Sequence, residues 1–113
     1  MQRQTIGDIA VLSVLEDTGP YISPGEMFPD STPEAVAAQM DWMAPTHFDS
    51  TSGQLIMAFQ SFVMQTPQHT ILIDSCVGED KERLNPEFHM KKWPWMANLK
   101  ALGLTPVDID IVM

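Results

Sequence analysis

The sequence predicts a mixed α+β domain in which a mainly antiparallel sheet carries flanking helices. Three observations predict it. Residues 54–78 read as two apolar strands joined by a tight turn, residues 94–102 carry apolar side chains at helical spacing, and β-rich segments lie near both ends, at 9–15 and 109–113.

The central hairpin is the strongest signal. Leu55, Met57, Phe59 and Val63 lie on one parity and Ile56, Ala58, Phe62 and Met64 on the other, a pattern expected of a strand covered on both faces. Thr66-Pro67-Gln68-His69 reads as a type I turn, because the ring of Pro67 presets φ at the second turn position. His69–Ile73 is rich in β-branched residues and is expected to return antiparallel. The β pattern then stops at Asp74. A sheet fixes a residue in that place and the following loop exposes it, which suits a carboxylate with chemistry to do.

The other elements follow in chain order. Ile6–Leu15 reads as the first strand, starting near Ile9 because parity fails around Asp8. From Glu16 to Thr32 the glycines Gly19 and Gly25 and the prolines Pro20, Pro24 and Pro29 predict an irregular crossing. Tyr21, Met27 and Phe28 would either pin it to the surface or make it the wall of a pocket. Ser31 with Glu34 three residues later is a capping signature for a helix, with Val36, Met40 and Met43 as its apolar stripe and Pro45 as its end. His47 and Asp49 are one residue apart with no second histidine near, which reads as surface. Glu79–Lys92 alternates acids and bases and reads as a solvated connection. Trp93-Pro94 opens the second helix with proline at its first position. Trp95, Leu99 and Leu102 form its apolar face with Met96 beside them, and Gly103 ends it. Thr105 caps a single turn that carries Asp108 at its third position, and Ile109 begins a last strand. A sequence that stops inside an apolar strand is expected to be part of a longer one.

Composition narrows the function classes. The 113 residues carry a formal net charge of −9. Most of it lies in residues 1–54, where eight acids face Arg3 alone. Such a surface repels phosphate backbones and anionic lipid, so neither nucleic acid nor a membrane is an expected partner. The first ten residues include Asp8 and lack the apolar core of a signal peptide, and no apolar run is long enough to span a bilayer. A single cysteine, Cys76, excludes an internal disulfide and suits a reducing, cytoplasmic setting. Cys76 has no basic neighbour in sequence to activate it and reads as a small buried thiol.

The segments Ile71-Leu72-Ile73-Asp74-Ser75-Cys76-Val77-Gly78-Glu79-Asp80-Lys81 and Leu102-Gly103-Leu104-Thr105-Pro106-Val107-Asp108-Ile109-Asp110-Ile111-Val112, with a tryptophan-led helix between them, resemble the N-terminal part of metallo-β-lactamase-fold hydrolases. Ser75 and Cys76 stand where threonine and glycine are commonest, a variation similar to a bacterial subgroup with Asp-Thr-Cys-x-Gly-x-Asp-Lys. The resemblance implies that residues 1–113 form a single partial domain, the N-terminal portion of an αββα sandwich. It implies a small-molecule substrate with an ester, lactone or related bond. It also implies two metal ions, usually zinc, whose bridging hydroxide attacks the substrate. In that family the last strand leads into a Thr-His-x-His-x-Asp-His motif, which this sequence lacks. His47, His69 and His89 match no ligand position, so the resemblance places no catalytic residue and no metal ligand in this chain. It carries over Asp74 alone, expected to lie beneath the metals and orient their ligands. The other reading of Asp74 is a cap on its own loop. By the same resemblance Tyr21, Met27 and Phe28 would shape the substrate pocket. An oxidoreductase with a diiron site shares the fold class, and a small non-catalytic α+β binding module is the alternative outside it. The hydrolase reading predicts that the 113-residue chain alone takes up no stoichiometric zinc. Metal analysis of the purified chain checks this, and tight binding at a defined ratio would count against it.

Overall fold

The broken parity at Asp8 is a turn. In the computed structural model, which describes residues 3–113, Gly7 adopts φ 62°, a conformation open to glycine at little cost. There β1 (Arg3–Ile6) folds back antiparallel on β2 (Ile9–Ile22), with Ile6 opposite Ile9. Strand β2 runs well past the expected end at Leu15, through Gly19 and Pro20. A proline sits in a strand wherever its missing N–H faces no partner, so the residues that suggested an irregular crossing do not end this one. The crossing itself begins only at Ser23.

Then come three short helices, α1 (Pro24–Met27), α2 (Pro33–Ala37) and α3 (Met40–Met43), and the strands β3 (Phe48–Asp49), β4 (Gln54–Gln65) and β5 (Thr70–Ile73). A 3-10 turn at Pro86–Phe88, helix α4 (Trp95–Ala101), a 3-10 turn at Pro106–Asp108 and β6 (Ile111–Val112) complete the order. The strands form one sheet in the order β1-β2-β4-β5-β6, with β3 on β4. The hairpin pairs as expected, Phe62 opposite Ile73 and Gln65 opposite Thr70. Its turn is closed by Thr66, whose N–H donates to the His69 carbonyl at 2.9 Å and whose hydroxyl accepts from the His69 N–H. Strand β6 lies parallel to β5, Ile71 opposite Ile111.

By its internal packing the chain divides into two compact units, one holding the segment up to Asp17 together with Phe59–Met113, the other Thr18–Ala58. In the first, Leu12, Val14, Val63, Leu72, Leu99 and Leu104 form the buried core, with Trp95, Leu102 and Ile109 packed against it. The expectation that β4 is covered on both faces does not hold. Ser61 and Val63 are fully buried while Phe62, between them, is 38% exposed, because the period of two sends one parity to the core and leaves its neighbour on the open side.

Helix α4 is shorter than expected. Pro94 is its N-cap rather than its first residue, and Met96 is half exposed at the edge of the apolar face. Its end is well defined. Gly103, at φ 79°, donates to the Lys100 carbonyl and Leu104 to the Leu99 carbonyl, the paired bonds of a Schellman stop with the buried Leu104 as its apolar contact. Thr105 then forms a capping box with Asp108. The Asp108 carboxyl lies below its ordinary range because the Thr105 hydroxyl and amide both donate to it. Between β5 and α4 the chain closes a neck. Asp80 N–H donates to the Lys91 carbonyl, Met90 N–H to the Lys81 carbonyl, and Lys92 pairs with Asp80 at 2.6 Å.

In the second unit the capping residue is Thr32, which accepts from the Ala35 N–H at 3.1 Å, not Ser31. The single expected helix is two short ones, α2 and α3, with the break at Ala38–Gln39. Asp49 accepts from the amides of Thr51 and Ser52 and closes the turn into β4.

The left-handed Gly103 yields a stability prediction. Gly103→Ala is expected to destabilise the first unit by about 1–2 kcal/mol, the cost of a side chain in that conformation. The shift in the urea-unfolding midpoint measures it.

Candidate functional site

Strand geometry sends alternate residues of β2 into the core, so Ala10, Leu12, Val14 and Glu16 share one face. All four are buried, Glu16 to 1% exposure. A carboxylate in that place needs donors, and they come from the loop after β5. Val77 N–H donates to Glu16 Oε1 and Gly78 N–H to Oε2, each at 3.0 Å. The Val77 carbonyl in turn accepts from Arg83 Nη2 at 2.7 Å.

The same loop is held at two further points. Asp74, at φ 63°, accepts the Cys76 N–H on Oδ1 at 2.7 Å, an Asx-type turn that favours this backbone shape. Its own N–H donates to the Met113 carbonyl beside β6. The Cys76 sulfur lies 3.2 Å from Ser61 Oγ, which accepts from Trp95 Nε1 at 2.9 Å. Strand β4 therefore supplies a buried hydroxyl and α4 an indole N–H, and both serve the loop. Burial pushes the Cys76 thiol up, the Ser61 hydrogen bond offsets part of this, and the charges of Glu16 and Asp74 push it further up. A thiol in this state is a poor nucleophile at neutral pH.

Glu16, Ser75, Gly78, Glu79, Trp95 and Met96 line an open cleft of about 390 Å³ beside this loop. The structure thus brings Asp74 and Cys76 together with Glu16, Ser61 and Trp95. Sequence reasoning did not weigh Glu16 or Ser61 for the site and used Trp95 only as an apolar face. The available signal was parity, since Glu16 continues the series 10, 12, 14 and Ser61 falls in step with Val63. Asp74 does cap its own loop, and its side chain is exposed.

The aromatic segment lies in the second unit. Tyr21 is in β2, and its carbonyl accepts from Gln54 Nε2 at 3.4 Å. Met27 ends α1. Phe28 lines an apolar groove of about 300 Å³ with Ala35, Val36, Trp42 and Met43. The three histidines are exposed. His47 sits by the Trp42 ring at 6.1 Å between centroids, and His89 Nδ1 accepts from the Arg83 N–H. Among the described residues no group of three or more His, Cys, Asp or Glu side chains could hold a metal ion. These residues by themselves do not fit a metal centre. No helix among them is long and apolar enough to cross a membrane.

Three solved structures align with nearly the whole chain. One is a hydrolase, AbOPH, of the beta-lactamase superfamily, 22% identical over 97% of this chain with a TM-score of 0.70. The chain has the metallo-β-lactamase fold. A probable metal-dependent hydrolase from Staphylococcus aureus aligns over 96% of the chain, at 22% identity and a TM-score of 0.66. AidC, a dizinc quorum-quenching lactonase solved with a product, aligns over 98%, at 13% identity and a TM-score of 0.69. This chain spans about a third of each, 33%, 38% and 34% of their lengths. No protein-family model and no curated protein matches the sequence. As a metallo-β-lactamase-fold chain it has the mixed, mostly antiparallel sheet and few helices of these neighbours.

The Cys76 environment sets a pH dependence. A folded chain that holds its thiol proton more tightly than the unfolded chain keeps constant stability below the ordinary thiol range and loses stability as pH rises through it. Alkylation of Cys76 by iodoacetamide is expected to reach half its limiting rate at a higher pH than for an unfolded cysteine peptide. Ser61→Ala removes the one hydrogen bond that favours the thiolate and is expected to move that midpoint further up. Rate-against-pH profiles check both directions.

Proposed function

We propose that this chain supplies the sheet and strand-end loop of a metal-dependent hydrolase, acting on an ester, lactone or related bond of a small-molecule substrate. The observation that carries the reading is the alignment of 97% of the chain with a hydrolase of this fold at a TM-score of 0.70. The dizinc lactonase among the neighbours supports two zinc ions and a lactone-like substrate. The described residues bring no metal-ligand group together, so the reading assigns the ions to ligands from further sequence, in keeping with neighbours about three times as long. Asp74 is the residue of this chain assigned to the metal side, as a carboxylate that orients ligands through hydrogen bonds. The segment with Tyr21, Met27 and Phe28 is assigned to the substrate pocket. The excess of acids disfavours nucleic acid and anionic membranes as partners, and the single thiol supports a cytoplasmic setting.

The test is an assay of the complete protein, loaded with zinc, on lactones and aryl esters. Hydrolysis that chelation abolishes is the expected result, and a zinc-loaded protein without hydrolysis would remove the reading. Asp74→Asn is expected to lower activity or metal affinity by roughly 10–100-fold, the usual effect of losing a ligand-orienting partner. Full activity and metal content in that variant would remove Asp74 from its assigned role.

A further inference from the structure

We propose that Glu16 is the positioning residue of the 74–78 loop. Its buried carboxylate serves as the built-in anion of a backbone nest and so sets where the loop carries Asp74. The consequence for Asp74 rests on the hydrolase reading above; the control of the loop does not.

The backbone shape is the first support. Cys76 at φ 59° and Gly78 at φ 84° bracket Val77. Alternation of this kind turns successive N–H groups toward one side and makes a concavity that binds anions. Here two of those N–H groups, from Val77 and Gly78, meet the two oxygens of Glu16. The concavity is filled from within the chain.

The second support is cost. A cysteine side chain is uncommon in left-handed space, where glycine, asparagine and aspartate predominate, and Cys76 needs something to hold it there. Glu16 is 1% exposed, so its charge is desolvated unless donors meet it. Each group therefore relieves the other. An apolar residue at 16 would continue the Ala10, Leu12, Val14 face but would leave two inward-facing amides without an acceptor.

The third support is connection. The Cys76 N–H that fixes Asp74 Oδ1 sits on the residue just before the two amides that Glu16 holds. Arg83 grips the Val77 carbonyl from the far end of the same residue. The Asp74 donor belongs to the 75–76 peptide and the first Glu16 donor to the 76–77 peptide, two planes that meet at the Cys76 Cα, so the anchor at Glu16 reaches the exposed carboxylate through a single residue.

Glu16→Gln keeps the shape of the side chain but offers one acceptor oxygen in place of two. In the complete protein labelled with ¹⁵N, the Val77 and Gly78 amide protons are expected to shift upfield. Their exchange should quicken by roughly 10-fold or more, the weight of a hydrogen bond to a charged group. The Cys76 amide should shift with them, while the Val63 and Leu72 amides in the sheet stay as they were. Unchanged Val77 and Gly78 signals, or losses spread equally over Val63 and Leu72, would overturn the proposal. Should the variant fail to fold, the unsubstituted protein decides. Its Val77 and Gly78 amides must exchange roughly 10-fold slower than the exposed Glu82 amide, and equal rates would overturn the assignment. A failed hydrolysis assay leaves these spectra untouched, so the two readings fail separately.

Discussion

Burying a carboxylate at the end of an apolar strand face puts a demand on everything near it. Glu16 occupies the last core-facing position of its unit on β2, one place beyond Val14. The donors it needs must come from a segment with amides to spare, and a regular strand or helix has few. A loop that has just left the sheet does. The left-handed turns at Asp74 and Cys76, the open backbone at Gly78 and the grip of Arg83 are together the form a loop takes when its amides face inward to one anion. The carboxylate and the loop geometry are one arrangement.

Around that arrangement the core is ordinary. Val63 and Leu72 meet Leu99 from the helix, and Leu104 closes the stop that follows it. Among the described residues the buried polar side chains are Glu16 and Ser61, and both meet the loop. Ser61 lies between Phe59 and Val63 on the same face of β4, and its hydroxyl links the Trp95 indole to the Cys76 sulfur. Strand, helix and loop are thereby tied by one short chain of hydrogen bonds, with the thiol held neutral at its end.

Much of this was legible in the residues. The hairpin, its Thr66–His69 turn, the stop at Gly103 and the cap at Thr105 each rest on local chemistry that the surroundings do not override, and each stands where the sequence puts it. The resemblance to the metallo-β-lactamase fold extends from these same segments and holds for the structure. Errors arose where a local signal competed with pairing. Gly19 and Pro20 look like the start of a loop, yet strand pairing carries β2 to Ile22. Ser31 and Thr32 are chemically equivalent caps, and only the backbone shows that Thr32 takes the role. The apolar run of β4 hid Ser61, because a lone serine among apolar residues says nothing of its partner until Trp95, 34 positions away, is seen to reach it. Glu16 was hidden by the glycines and prolines that follow it, which drew the strand boundary at Leu15, seven residues before its end at Ile22.

The neck formed by Asp80, Lys81, Met90, Lys91 and Lys92 has a bearing on how such a chain can vary. Two backbone bonds and one exposed ion pair seal the base of residues 82–89, and beyond the base Arg83 reaches back to the Val77 carbonyl while the Phe88 ring meets Phe59 of β4 edge-on. Loop closure grows only with the logarithm of length, about 0.6 kcal/mol for each doubling. Insertions at the step from the exposed Leu84 to Asn85, between those two contacts, therefore cost little and leave the hold of Arg83 on the 74–78 loop in place. In a lineage under selection for new specificity, this is a place where added residues could accumulate without touching the older architecture beneath.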